Sequence, residues 1–167
     1  WGVRVLFYLS LEKGLVSRII SCGGCDLLAQ SLRMHSGCDD IVVWSCRTLC
    51  HCILTLEVVS ENEREICQDK FAQQYVLEIL ISEFAERLAT VGELAAQWSL
   101  KAIGALARKH EKNKCTLIEL GVCELLQNVR EHYSLDSNEK LAEGVCWVIG
   151  NVSYPSEEAQ LRWGACG

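Results

Sequence analysis

The sequence predicts an all-α fold, a right-handed α-solenoid of about three and a half three-helix units, and three observations predict it. First, a phrase recurs. Gly121-Val122-Cys123-Glu124-Leu125-Leu126 matches Gly23-Gly24-Cys25-Asp26-Leu27-Leu28, 98 residues earlier, and Gly164-Ala165-Cys166 opens it again 43 residues later. Second, a long apolar helix recurs beside it. Ala102 to Leu106 aligns with Val148 to Val152, with Thr48 to Cys52 and, more weakly, with Arg4 to Tyr8, in steps of 44, 54 and 46 residues. Third, half of the 167 residues are apolar and only one is proline, which favours helix. A period in the forties with three helices per unit buries its core by stacking each unit on the next.

Taken in order, residues 1–10 read as the tail of a long third helix, which makes a partial first unit. Ser17–Ser21 is a short helix stopped by Gly23-Gly24, and Asp26–Met34 follows with Leu27, Leu28 and Leu32 on one face. His35-Ser36-Gly37 ends that helix, and Asp39-Asp40 can cap and charge the start of Ile41–Val58. Residues 11–58 are thus one unit. The next, 59–109, has a polar turn at Glu61 to Arg64, a short helix Ile66–Lys70, a long helix Phe71–Leu88, a cap region around Gly92 and the helix Leu94–Lys109. Here Lys70 takes the place of the recurrent glycine. The unit 110–153 has a turn at Glu111 to Lys114, then Thr116–Leu120, Cys123–His132 and Asn138–Ser153, which Tyr154-Pro155 breaks. Residues 154–167 open another unit, so the chain reads as one domain from a longer array. The expected core is the repeat-equivalent set Val5, Ile19, Leu28, Cys46, Leu49, Ile66, Leu80, Leu100, Ile103, Leu106, Ile118, Leu125, Val148 and Ile149.

Charge and cysteine bound the function. A net charge of −6 speaks against direct nucleic-acid binding, which needs a basic stripe. No uninterrupted apolar run of eighteen is present, so no membrane insertion is expected. Eleven cysteines, an odd number, fall at helical core positions, which suits free thiols in the reducing cytoplasm or nucleus better than a disulfide scaffold. No Gly-rich phosphate loop, His-Glu-x-x-His or Gly-x-Ser-x-Gly occurs, and no cofactor or catalytic residue is assigned, so a non-enzyme is expected.

Two segments carry a family resemblance. Asn-x-x-x-Leu-Ile-Glu-x-Gly-x-x-x-Leu-Leu, from Asn113 to Leu126, resembles the armadillo repeat, and Glu143 to Ser153 resembles the third helix of such a unit. HEAT repeats are the near alternative; the glycine between the short and second helices, which turns sharply at little cost, leans towards armadillo. The resemblance implies a superhelical scaffold whose third helices line a concave groove for a peptide or partner domain. In the importin-α type, Trp-x-x-x-Asn pairs hold the peptide main chain, and Trp147 with Asn151 is one such pair, at i and i+4 on one helix face. An Asn amide can both donate to and accept from a main chain, and an indole offers an apolar wall.

The other copies depart from that pattern. The Trp column reads Val3, Arg47, Lys101, Trp147, and the Asn column reads Phe7, His51, Ala105, Asn151. Arg47 and Lys101 make the expected groove locally basic, as in β-catenin-like grooves, which take acidic ligands. The candidate groove residues are therefore Arg47, His51, Lys101, Trp147 and Asn151, and the expected partner is a protein or peptide, acidic in character. Trp147 has core packing as its competing role; Trp44, Trp98 and Trp163 read as packing residues. The basic run Arg108 to Lys114 reads as a solvated turn. Cys22-Gly-Gly-Cys25 supplies the alternative from another class, a thiol-redox or metal-responsive module, although no second ligand pair completes a metal set. A third alternative is a structural arm of a larger enzyme.

Overall fold

The computed structural model describes residues 1–135, 138–154 and 161, and among these every regular element is a helix. The ten helices are α1 (Gly2–Ser10), α2 (Lys13–Ser21), α3 (Gly24–Met34), α4 (Asp39–Val59), α5 (Glu61–Gln73), α6 (Val76–Glu86), α7 (Glu93–Ala107), α8 (Glu111–Glu119), α9 (Val122–His132) and α10 (Glu139–Ser153). Trp163 and the phrase Gly164-Ala165-Cys166 lie outside the described residues, as does most of the partial unit 154–167.

Each short helix turns into the next through one residue in the left-handed region. Gly23 does so before α3 (φ 86°) and Gly121 before α9 (φ 84°), where a Cβ would be strained. The third copy of this turn is Tyr75, at φ 59° before α6. The expected Lys70 is instead inside α5, and the expected helix Phe71–Leu88 is cut by the turn at Gln74-Tyr75. α5 has 13 residues where α2 and α8 have 9, so one added helical turn carries the break past Lys70.

The segments read as polar turns are the first turns of α5 and α8. The Ser60 hydroxyl accepts from the Glu63 N–H and caps α5. Arg64 and Lys114, fourth in their helices, are both buried, and each is paired with the glutamate three residues before it, Arg64–Glu61 at 3.1 Å and Lys114–Glu111 at 2.6 Å. This equivalence corrects the register of α5 by one residue. It turns Ile66 out of the core, 44% exposed, while Cys67, expected in the core with the other cysteines, is fully buried. One residue is about 100° of helix, enough to exchange faces.

The core contains Leu28, Cys46, Leu49, Leu80, Leu100, Ile103, Leu106, Leu125 and Val148 as expected, whereas Ile19 and Ile118 are half-buried. One repeat-equivalent column shows how neighbours build this core. Leu49 on α4 and Ile103 on α7 are fully buried, while Val5 on α1 and Ile149 on α10 are exposed. The most extensive helix contacts are α1 on α4, α4 on α7 and α7 on α10. The inner pair has a long helix on both sides; α1 and α10 each have one among the described residues.

Side chains from the short helices close the ends of the long ones. The Gln68 amide of α5 donates towards the carbonyls of Ala105, Leu106 and Arg108, and the Asn113 amide of α8 donates to Leu106, so the last turn of α7 is satisfied from both sides. Lys114 also donates to the Tyr154 carbonyl, at the end of α10. At the start of α4, Asp39 does not cap its own helix; it pairs with Arg87 at 2.8 Å and accepts from the Gly92 N–H, the N-cap of α7. α4, though interrupted by polar residues, is, at 21 residues, long and apolar enough to cross a membrane by length and composition alone. In this fold Cys46, Leu49, Ile53 and Leu56 spend that apolarity on the core.

Candidate partner-binding surface

The five candidate residues lie on α4, α7 and α10, which pack side by side, and each is half-buried. Arg47 stands among three rings. Its guanidinium carbon is 4.5 Å from the centroid of Trp44 on its own helix, 4.6 Å from Phe7 on α1 and 5.1 Å from Trp98 on α7. Such stacking favours arginine, whose planar cation is weakly hydrated. Arg47 has no carboxylate partner among the described residues, and its Nε is buried without an acceptor.

The arrangement is repeated along the row. Arg4 lies 5.1 Å from Trp44 and 5.8 Å from Trp1, and pairs with Asp40 at 2.5 Å. Lys101 lies 5.4 Å from Trp98 and 3.5 Å from Glu143. Indole and cation therefore alternate from α1 to α7. Trp44 and Trp98, read from the sequence as packing residues, are half-buried members of this ladder, and Trp98 also packs against the core. The signal was present in the spacing: Trp1-x-x-Arg4, Trp44-x-x-Arg47 and Trp98-x-x-Lys101 each set a ring and a cation three apart on one helix face.

His51 sits beside Phe7, ring centroids 6.2 Å apart, with Nδ1 3.5 Å from the Thr55 hydroxyl. Burial lowers its pKa below 6.5, against a hydrogen bond to the Ser10 carbonyl, so the ring is neutral at physiological pH.

Trp147 and Asn151 form a different group. Trp147 lies against Gly104 so closely that a Cβ there would overlap Cδ1 and Nε1 of the indole. The Asn151 amide donates to the Trp147 carbonyl at 2.8 Å, one turn back. Arg108, at the end of α7, lies 5.1 Å from the Trp147 ring, with Nη1 3.4 Å from Asn151 Oδ1 and Nε 2.5 Å from Glu57 Oε2. Lys109 adds a contact to the other Glu57 oxygen at 3.0 Å. The basic run is therefore only partly a solvated turn: Arg108 and Lys109 pair with Glu57, and Lys114 is buried. Hydrogen bonding to Arg108 and then Lys109 holds the Glu57 carboxyl below its ordinary 4.5, against its burial.

The cysteine pair of the alternative reading is divided by the fold. Cys22 is exposed, whereas Cys25 is buried beside Cys67 of α5. A hydrogen bond from the Cys67 thiol, helped by Lys70, holds the Cys25 pKa down against burial, and that of Cys67 rises in consequence. Burial pushes Cys46 and Cys52 up to about 12. Among the described residues no three His, Cys, Asp or Glu side chains are grouped to hold a metal. Compared with family models, with characterised proteins and with solved structures, the chain matches none.

Proposed function

We propose that this chain is a protein-binding scaffold, an array of armadillo-type units in a right-handed α-solenoid whose third helices α1, α4, α7 and α10 present one continuous face to a peptide or partner domain. The observation that carries the reading is Arg47, a half-buried cation held by Phe7, Trp44 and Trp98 with no carboxylate of its own among the described residues. A partner's acidic side chain supplies the missing anion, and the flanking indoles supply apolar contact for its neighbours. Lys101 extends the preference along the face, and His51 stays neutral beside it.

The test is a binding screen of acidic, basic and neutral peptide pools against the wild type, Arg47→Gln and Trp147→Ala, with helicity checked by circular dichroism. Acidic peptides should bind the wild type and weaken by about tenfold on Arg47→Gln, as loss of one charge-assisted contact requires. Failure of every pool to bind a folded wild type would remove the reading.

A further inference from the structure

The second helices α3, α6 and α9 make a row of their own, packed in that order. Each has 11 residues and follows one left-handed residue, so positions along them correspond without gaps. The tenth position reads Arg33, Ala85, Glu131. Between α3 and α6, Arg33 crosses the junction, and its Nη2 donates to the Gln74 carbonyl at 2.8 Å, just before Tyr75. Between α6 and α9 the equivalent side chain is Ala85, which stops at Cβ, and the equivalent carbonyl is that of Leu120, just before Gly121. A groove of about 320 Å³ lies there, with Ala85 and Leu120 both in its lining.

The groove also has the charge to receive what Ala85 lacks. Ile81 and Leu125 give it an apolar floor, and Glu78 of α6 and Glu124 of α9 stand along it. Both acids are third in their helices, near the positive end of the helix dipole, which accounts for their place in the sequence. It does not supply them with a partner. Neither carboxylate has a hydrogen bond or an ion pair among the described residues, and Glu78 Oε2 is buried without a donor. A carboxylate oxygen held that way is costly, and a cation in the groove offsets the cost. The lining comes from α6, α9 and the turn between α8 and α9, so it shares nothing with the face of Arg47, His51, Lys101, Trp147 and Asn151.

We infer that the groove between α6 and α9 is a docking site for an arginine side chain of a partner protein, which takes in trans the place that Arg33 takes in cis one junction earlier. A guanidinium suits the groove because its planar donors can meet a carboxylate and a main-chain carbonyl together, while its stem lies on Ile81 and Leu125. The inference goes beyond the scaffold reading and does not depend on it. It assigns a second surface, on different helices, with the opposite charge preference.

The probe is a short blocked peptide with one arginine between two leucines, compared with its citrulline counterpart, which keeps the shape without the charge. Binding is followed by the backbone amide resonances of Ser82 and Asn128, which line the groove. The wild type should bind the arginine peptide about tenfold more tightly than the citrulline one. Glu78→Gln combined with Glu124→Gln should abolish that preference. If the double variant loses helicity, Glu124→Gln alone, at an exposed position, should still reduce it. Ala85→Arg rebuilds the Arg33 contact from within. Ala85 is exposed, so this variant should fold, and it should bind the arginine peptide about tenfold more weakly than the wild type does. No preference over citrulline, or equal binding by Ala85→Arg and wild type, would overturn the inference. Arg47→Gln, which tests the scaffold reading, is run on the same samples and should leave arginine binding unchanged. A loss on Arg47→Gln equal to that on the glutamate variants would move the site to the third helices and overturn the groove alone. If the acidic pool fails on a folded wild type while the arginine preference holds, the groove is supported and the scaffold reading of the third-helix face is overturned.

Discussion

The indole of Trp147 occupies the space that a side chain at Gly104 would need. Two long helices, α7 and α10, approach through this missing Cβ, and it is what lets a half-exposed tryptophan also serve the interface. Gly104→Ala should therefore displace the ring and destabilise the fold by about 1–3 kcal/mol, the range for overpacking a close contact. Urea unfolding with an unchanged m-value, together with a shift in tryptophan emission, is the expected outcome. An unchanged midpoint would mean that the ring moves freely.

Tyr75 carries a side chain where its counterparts Gly23 and Gly121 carry none, and it is 64% exposed. Little packing is lost on removing it, and the left-handed strain is relieved. Tyr75→Gly should raise stability by about 1 kcal/mol, while Gly121→Ala should lower it by a similar amount. The two urea midpoints should move in opposite directions; movement in the same direction would remove the equivalence of the turns.

Arg47 links three helices through ring faces. Arg47→Met keeps length and apolar bulk but loses the charge, and should cost about 1–2 kcal/mol. Arg47→Lys should recover only part of this, because a compact, strongly hydrated ammonium stacks less well. A double-mutant cycle with Trp98→Leu measures the pair directly, and a coupling near zero would mean the stacking contributes nothing.

Glu57 is a carboxylate whose folded pKa lies below its ordinary 4.5. The folded state then binds fewer protons than the unfolded chain, so its contribution is complete above pH 4.5 and fades as pH falls through the folded value. Glu57→Gln should be less stable than wild type at neutral pH, and the two should converge in acid. Stability curves that stay parallel down to the acid transition would show that Glu57 is not coupled to Arg108.

The long helices were legible because apolar periodicity over four turns outweighs any single residue, as in α4 and α7. The break before α6 was not, because the residue in the left-handed region is a tyrosine and turn chemistry is normally read from glycine or asparagine. Burial of Arg64 and Lys114 was hidden for a related reason. Composition assigns Glu-x-x-Arg and Glu-x-x-Lys stretches to solvent, while an i,i+3 carboxylate reaches each cation inside and a helix-end carbonyl also meets Lys114. At the candidate surface the column of Arg47 and Lys101 could be read from the repeat. The rings that Arg47 meets on neighbouring helices, Phe7 on α1 and Trp98 on α7, could not, since contact across helices depends on rotation that the period alone does not set.

The side chains that close helix ends also tie helices that are distant in the chain. Gln68 reaches from α5 to the end of α7, and Lys114 from α8 to the end of α10, so in both places a shorter helix fastens the end of a long one. Asp39 joins the start of α4 to Arg87 and Gly92 ahead of α7, fastening the two long helices at their starts. Under tension along the chain, peeling α7 away would expose the carboxylate of Asp39 and the amide of Gln68 together. The helices joined through α7 should therefore give way together under load rather than one at a time.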